Sequence, residues 1–348
     1  MSNQNSSANT ELAEDYYRLD PDTIIDAVES KGFLSDARIL ALNSYENRVY
    51  QVGIEDEQPV IAKFYRPLRW SDEQIIEEHE FSRELFELDI PAIPPIYFKS
   101  ETTDLKPNHA TEQSLFYYGG YRFALYQRRG GRAPELTDPE HLYWLGKLMG
   151  RIHAVGKNRK FQHRPTLSID SFIIKPSEYI LANDFLPSIF IEPYQAIIRD
   201  ILKHVESGYQ NFPPKLIRLH GDCHPGNILW TDHGPHFVDF DDSRNGPAIQ
   251  DLWMLLSGEI RDQEKQLREI LEGYEEYCEF NASELNLIEP LRSMRIIHYA
   301  GWLARRWNDP AFPKAFPWFN TETFWGEHIL QLKEQLAALQ NPPLQIYP

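Results

Sequence analysis

The spacing of apolar side chains changes character near residue 130. Upstream, short runs dominate. Ala37–Leu42 and Arg48–Gly53 flank the polar turn Asn43-Ser44-Tyr45-Glu46-Asn47, which is the composition of a hairpin. Pro59–Tyr65 adds a third strand, with Lys63 set among apolar neighbours. Ahead of these, Ile24, Ile25 and Val28 recur at helical spacing between Asp22 and Ser30. A longer helix is predicted from about Ser71 to Leu88, where Ser71 stands as N-cap and Gln74 takes the capping-box position. Phe81, Leu85 and Leu88 are its predicted inward face, and the proline-rich Pro91–Pro95 ends it. Leu115–Tyr118 and Tyr121–Gln127 make a second hairpin around Gly119-Gly120. Arg128-Arg129-Gly130-Gly131 then breaks the pattern and reads as a hinge.

Beyond it the period becomes helical. Pro139–Val155 carries Leu142, Leu145, Leu148, Met149 and Ile152 on one face. Further helices are predicted over about Ser177–Gly208, from about Asp251, and through the aromatic C-terminal third with Trp302, Trp307, Trp318 and Trp325. The expected class is α+β with two lobes. Residues 1–20, rich in Ser, Asn, Thr and acids, read as a mobile tail. Residues 21–129 form a small antiparallel sheet with one main helix, and residues 130–348 form a larger, mostly helical lobe.

Composition narrows the partners. With 42% hydrophobic residues the 348-residue chain can fill sizeable cores, and a net charge of −17 argues against a nucleic-acid complex. Cys223 and Cys278 are too few for a disulfide framework and suit a reducing compartment. The N-terminus lacks the pattern of a secretory signal, and no apolar run approaches the ~18 residues of a membrane span. A soluble, cytoplasmic protein with no membrane partner is expected.

Candidate chemistry concentrates in Leu219-His220-Gly221-Asp222-Cys223-His224-Pro225-Gly226-Asn227-Ile228-Leu229-Trp230, followed by Phe237-Val238-Asp239-Phe240-Asp241. Asp222 can accept the hydroxyl proton of a phosphoryl acceptor. Asn227 and Asp239 offer hard oxygens to Mg2+ bridging the phosphates of ATP. Singly, each residue is an ordinary turn former. His220, Asp222 and His224 also admit a zinc-cluster reading, which the strand–loop–strand setting and the later Asp239 disfavour.

The block resembles the H-R-D-x-x-x-x-N and D-F-G motifs of protein kinases, with two departures. Gly221 stands for the arginine and Asp241 for the glycine. Eleven residues separate Asp239 from Asp251, little room for an activation loop. The H-G-D form resembles the aminoglycoside phosphotransferase and choline kinase superfamily. Within that frame Lys63 matches the β3 lysine that pairs the α- and β-phosphates. Its partner is expected on the following helix, where Glu78 shares a face with Phe81 and Leu85 and Glu73 and Glu77 are rivals. No G-x-G-x-x-G is present, so the turn carrying Ser44 would cover the phosphates, and Tyr126–Arg129 lies where the adenine-contacting hinge falls.

Asn43–Tyr50, Phe237–Leu256 and the run Ile296–Trp307 extend the likeness to the bacterial stress response kinases, serine/threonine protein kinases of that superfamily. The resemblance implies a bilobal protein-kinase-like fold and an ATP- and Mg-dependent transfer to protein Ser or Thr hydroxyls in stress response. It implies Asp222 as proton acceptor, Asp239 as a further catalytic residue, and Asn227 and Asp239 at the metal. Ser44, Lys63 and Glu78 would serve the nucleotide, with Asp251 and His220 supporting the catalytic loop. A small-molecule kinase of the same fold, acting on homoserine, choline or an aminoglycoside, is the alternative. A catalytically silent nucleotide-binding module is disfavoured by the intact Asp222, Asn227 and Asp239. Cys223, beside a carboxylate, reads as an inert packing thiol. The C-terminal aromatics read as helical core ahead of a cation cage.

Overall fold

The computed structural model describes Tyr16 and residues 19–99 and 112–346. Most of the expected mobile tail lies outside these residues. Tyr16 itself is buried. Its hydroxyl donates to the Phe64 carbonyl at 3.2 Å, and the guanidinium groups of Arg48 and Arg66 lie 5.5 and 5.3 Å from its ring centroid.

The chain divides into two compact units. The first takes residues up to Ala133 together with Gly226–Asp241; the second takes Pro134–Pro225 and the chain from Asp242 onward. The sequence pattern predicts two consecutive lobes with everything after residue 129 in the second, whereas Gly226–Asp241 groups with the first unit.

In the first unit, helix α1 (Pro21–Glu29) opens on the Asp20 N-cap. Strands β1 (Ser35–Ala41), β2 (Arg48–Ile54), β3 (Val60–Phe64), β4 (Phe116–Tyr118) and β5 (Tyr121–Gln127) form one antiparallel sheet in the order β1-β2-β3-β5-β4. Gly119 and Gly120, at φ +54° and +85°, make the primed turn between β4 and β5, which costs other residues steric strain. Val52, Val60, Ala62, Phe64, Phe123 and Leu125 pack the sheet's core with Ile24 and Val28 of α1.

Helix α2 (Asp72–Glu87) begins at the predicted cap. Ser71 Oγ accepts from Gln74 N at 3.3 Å, and Gln74 Oε1 accepts from Ser71 N at 2.9 Å. Ile75, Phe81 and Leu85 turn inward, but Leu88 is 50% exposed because the helix stops one residue before it. The hairpin of Ile228–Thr231 and Gly234–Phe237 completes this unit. Phe237 N donates to Pro91 O at 2.8 Å, and Ile93 N donates to Phe237 O at 3.1 Å.

The second unit is mostly helical, with α3 (Pro139–Gly156), α4 (Lys175–Ala182), α5 (Ser188–Asn211), α6 (Ile249–Trp253), α7 (Ile260–Tyr274), α8 (Ile288–Arg306), the short α9 (Ala311–Ala315) and α10 (Glu322–Ala338). The helical segment expected over about Ser177–Gly208 comprises two helices, separated before Ser188, where Pro187 is the N-cap residue of α5 and Asp184 is left-handed at φ +53°. Ile217–Leu219 and Arg244–Gly246 pair as a short antiparallel ladder. Trp325 is fully buried against Tyr194, Phe319, Phe324 and His328, as core and not as a cage. Among the described residues no helix is long and apolar enough to cross a membrane.

Candidate active site

Each unit holds some of the candidate residues. In the first, a cavity of about 380 Å³ is lined by Ser44, Lys63, Glu78, Tyr126, Asn227 and Asp239, among others. Local structure explains how they gather. Ser44 lies in the turn between β1 and β2, Lys63 on the central strand β3, Glu78 on the buried side of α2 and Tyr126 on β5. Asn227 closes a short 3-10 turn, and its carbonyl accepts from Val238 N at 3.0 Å, which sets the two ends of the hairpin together. Asp239 follows at φ +59°, a left-handed conformation that Asp tolerates better than most residues and that tends to persist at functional positions.

Lys63 is almost wholly buried, and its ammonium lies 3.1 Å from Asp239 Oδ1 and 3.2 Å from Asp241 Oδ1. Burial disfavours the charged amine, but Asp239 and Asp241 outweigh it and hold the pKa well above the ordinary lysine value. The ion pairs of Lys63 run to Asp239 and Asp241, and Glu78 on α2 adds a weaker Coulombic attraction. Of the three candidate acids on α2, Glu78 is buried and lines the cavity, Glu77 is half-buried and Glu73 is exposed. Asp241 also pairs with Arg69, and Phe240 between the two acids packs edge-on against Phe81 of α2. The two hard oxygen donors on this wall, Asn227 and Asp239, suit a small divalent cation completed by phosphate oxygens and water. Among the described residues no three His, Cys, Asp or Glu side chains form a metal cluster, which leaves the zinc reading without a ligand set.

In the second unit, Asp251 on α6 holds the loop that carries Asp222. Its fully buried carboxylate accepts from His220 N at 2.9 Å and Gly221 N at 2.8 Å, and lies 3.2 Å from His153 Nε2. His153 Nδ1 in turn lies 2.9 Å from the Tyr274 hydroxyl. Gly221 has φ +86°, and a Cβ there would come within 2.2 Å of the Asp242 carbonyl oxygen. That crowding accounts for glycine in place of the kinase arginine. His220 is buried under the same loop. Asp222 is partly exposed; Arg295 Nη1 of α8 donates to its Oδ1 at 2.5 Å and His224 Nε2 lies 3.5 Å from its Oδ2. Cys223 is fully buried with its thiol 3.7 Å from Met149 Sδ. Burial, then Asp251 and Asp222, push its pKa well above the ordinary thiol value.

A sequence model of the phosphotransferase enzyme family matches residues 38–286. The chain belongs to this family. It is 42% identical over 337 residues to stress response kinase A of Escherichia coli (strain K12), covering 96% of this chain and 97% of that protein. It is 41% identical over the same length to the serine/threonine protein kinase RdoA of Salmonella typhimurium. Among solved structures, an amicoumacin kinase in complex with AMP-PNP and Ca2+ superposes with a TM-score of 0.68 at 16% identity, covering 93% of this chain and 95% of that one. A spectinomycin phosphotransferase superposes with a TM-score of 0.58 at 17% identity, covering 91% and 97%. The fold is therefore that of the aminoglycoside phosphotransferase and choline kinase enzymes, and this phosphotransferase groups by sequence with the stress response kinases.

Three residues of this phosphotransferase take positions that sequence reasoning missed. Arg295 reaches Asp222 from 73 residues away, and nothing in its helical neighbourhood marks it. Arg69 reaches Asp241 across 172 residues. Asp241 alone carried a signal, since an acid stands where a related motif has glycine.

Proposed function

We propose that this phosphotransferase is an ATP- and magnesium-dependent kinase that transfers the γ-phosphoryl group to Ser or Thr hydroxyls of protein substrates in a bacterial stress response. The observation that carries the reading is 42% identity across 96% of the chain to proteins named stress response kinase A. The name serine/threonine protein kinase, borne by another relative at 41%, supports a protein acceptor. The amicoumacin kinase complex, with AMP-PNP and Ca2+, supports a nucleotide together with a divalent cation. Magnesium is the choice for a wall offering one amide and one carboxylate oxygen.

The roles follow from chemistry. Asp222 takes the acceptor's proton as the oxygen attacks, and Arg295 and His224 orient its two carboxylate oxygens. Asn227 and Asp239 would hold the cation, which when bound would supply positive charge against the phosphates. Lys63, kept charged by its two acids, pairs with phosphate oxygens, and Ser44 donates to them from the turn. Asp251 and His220 keep the catalytic loop in shape.

The test offers labelled ATP to the purified protein with a basic protein, with the protein itself, and with homoserine, choline and an aminoglycoside. Phosphoserine or phosphothreonine is the expected product. Asp222→Asn should lower turnover by about 10²–10⁴-fold with nucleotide binding retained. Efficient turnover of one small molecule, with no labelled protein, would replace this reading with a small-molecule kinase.

A further inference from the structure

The buried charges of the first unit form a chain longer than the proposed chemistry uses. It begins in the turn that carries Ser44. The Tyr45 and Glu46 carbonyls accept from Arg66 at 3.1 and 2.9 Å, and the Glu46 carboxylate lies 3.2 Å from Arg66 and 3.8 Å from Arg69. Arg69 pairs with Asp241, and Asp241 pairs with Lys63 at 3.2 Å. Every side chain along this path is mostly out of water.

The two acids on Lys63 are not equivalent. The Asp239 side chain is 52% exposed on the cavity wall, whereas that of Asp241 is 5% exposed and carries two cations. A carboxylate that leaves two buried cations strands both, at a cost well beyond that of parting one half-exposed pair. Asp239 is thus the acid able to exchange lysine for a metal, and Asp241 the acid that stays. Glu78 lines the same cavity and attracts Lys63 more weakly, while the ion pairs of Lys63 go to Asp239 and Asp241.

We propose that Asp241 is a positioning residue, the fixed counter-ion of Lys63, and that through Arg69 and Glu46 it ties this lysine to the turn that covers the phosphates. In this chain Asp241 takes over the task that the sequence pattern gives to an acid on α2. The inference rests on reading the cavity as the nucleotide site.

Mg-ATP binding by titration calorimetry tests it, on wild type, Asp241→Asn, Arg69→Gln, Glu78→Gln and the conservative Asp241→Glu. Asp241→Asn should weaken binding on the order of tenfold or more, the scale of one charge-assisted hydrogen bond. Arg69→Gln should weaken it several-fold, and Glu78→Gln less than either. In steady-state assays KM for ATP should move more than kcat, and Asp241→Glu should recover part of the loss. Circular dichroism checks that each variant is folded. Should Asp241→Asn not fold, Arg69→Gln decides alone. Folded variants that bind as wild type does, or a larger loss from Glu78→Gln, overturn the proposal while leaving the kinase reading standing. Wild type that binds no nucleotide overturns both.

Discussion

Replacing Asp251 should damage the loop that carries Asp222 in proportion to the hydrogen bonds it holds. Its carboxylate is fully buried and is engaged by two main-chain amides, at 2.9 and 2.8 Å, and by His153 at 3.2 Å. A hydrogen bond to a charged acceptor contributes about 1.5–3 kcal/mol. Asp251→Ala removes all three and leaves buried donors unsatisfied, a loss of about 3–6 kcal/mol when neighbouring terms are not taken as additive. Against a total stability of about 5–15 kcal/mol, that variant keeps little margin. Asp251→Asn is the sharper test. It preserves shape and one accepting oxygen but turns the other into a donor that faces a donor, for a loss of about 1.5–3 kcal/mol.

Urea unfolding followed by tryptophan fluorescence measures the loss as a lower midpoint at unchanged slope. Phosphoryl transfer should fall in the same variant, because the chain that presents Asp222 loses its anchor, whereas nucleotide binding, which the proposed function assigns to the first unit, should change less. A stability within about 0.5 kcal/mol of wild type, the range of ordinary surface substitutions, would refute the anchoring argument. So would an equal fall in nucleotide affinity and turnover.

Three further outcomes are expected. Ser71→Ala should cost about 1 kcal/mol by removing the capping box of α2, and Ser71→Thr should restore most of it; equal melts for both variants would argue against the cap. Cys223 should resist an aromatic disulfide reagent in the native protein at pH 8 and react once the protein is unfolded, since burial first and nearby carboxylates second hold its thiol protonated; rapid native labelling mapped to Cys223 would contradict this. Burial pushes His328 down to about 4, so below the ordinary value of about 6.5 the unfolded chain binds a proton that the folded one refuses, and stability is lost as pH falls from about 6.5 towards 4, by about 2 kcal/mol at pH 5; His328→Phe should flatten that part of the profile, and an unchanged slope would count against it.

What could be read in the sequence was what short-range chemistry decides. The start of α2 was legible because its cap and its answering glutamine lie within one turn. The primed hairpin was legible because two glycines declare it. Asp222, Asn227 and Asp239 were legible as a set because one stretch of chain carries them all. Leu88 was misplaced because periodicity does not say where a helix stops. The hairpin of residues 228–237 gave no sign of joining the first unit, because main-chain hydrogen bonds to Pro91, Ile93 and Arg132 attach it, which no side-chain pattern records.

The two places where this chain departs from the H-R-D and D-F-G motifs show why the rest was hidden. Gly221 is required by a left-handed backbone and by a carbonyl from Asp242, twenty-one residues on, that leaves no room for a Cβ. Asp241 is required by Lys63 and Arg69, which belong to the other end of the sequence. In both cases the local motif shows only that the usual residue is missing, and the cause is a partner brought in by the fold. A motif's departures are therefore where distant partners should be sought. Arg295 bounds that rule: it touches Asp222, a residue that departs from nothing, and only the three-dimensional arrangement of α8 could disclose it.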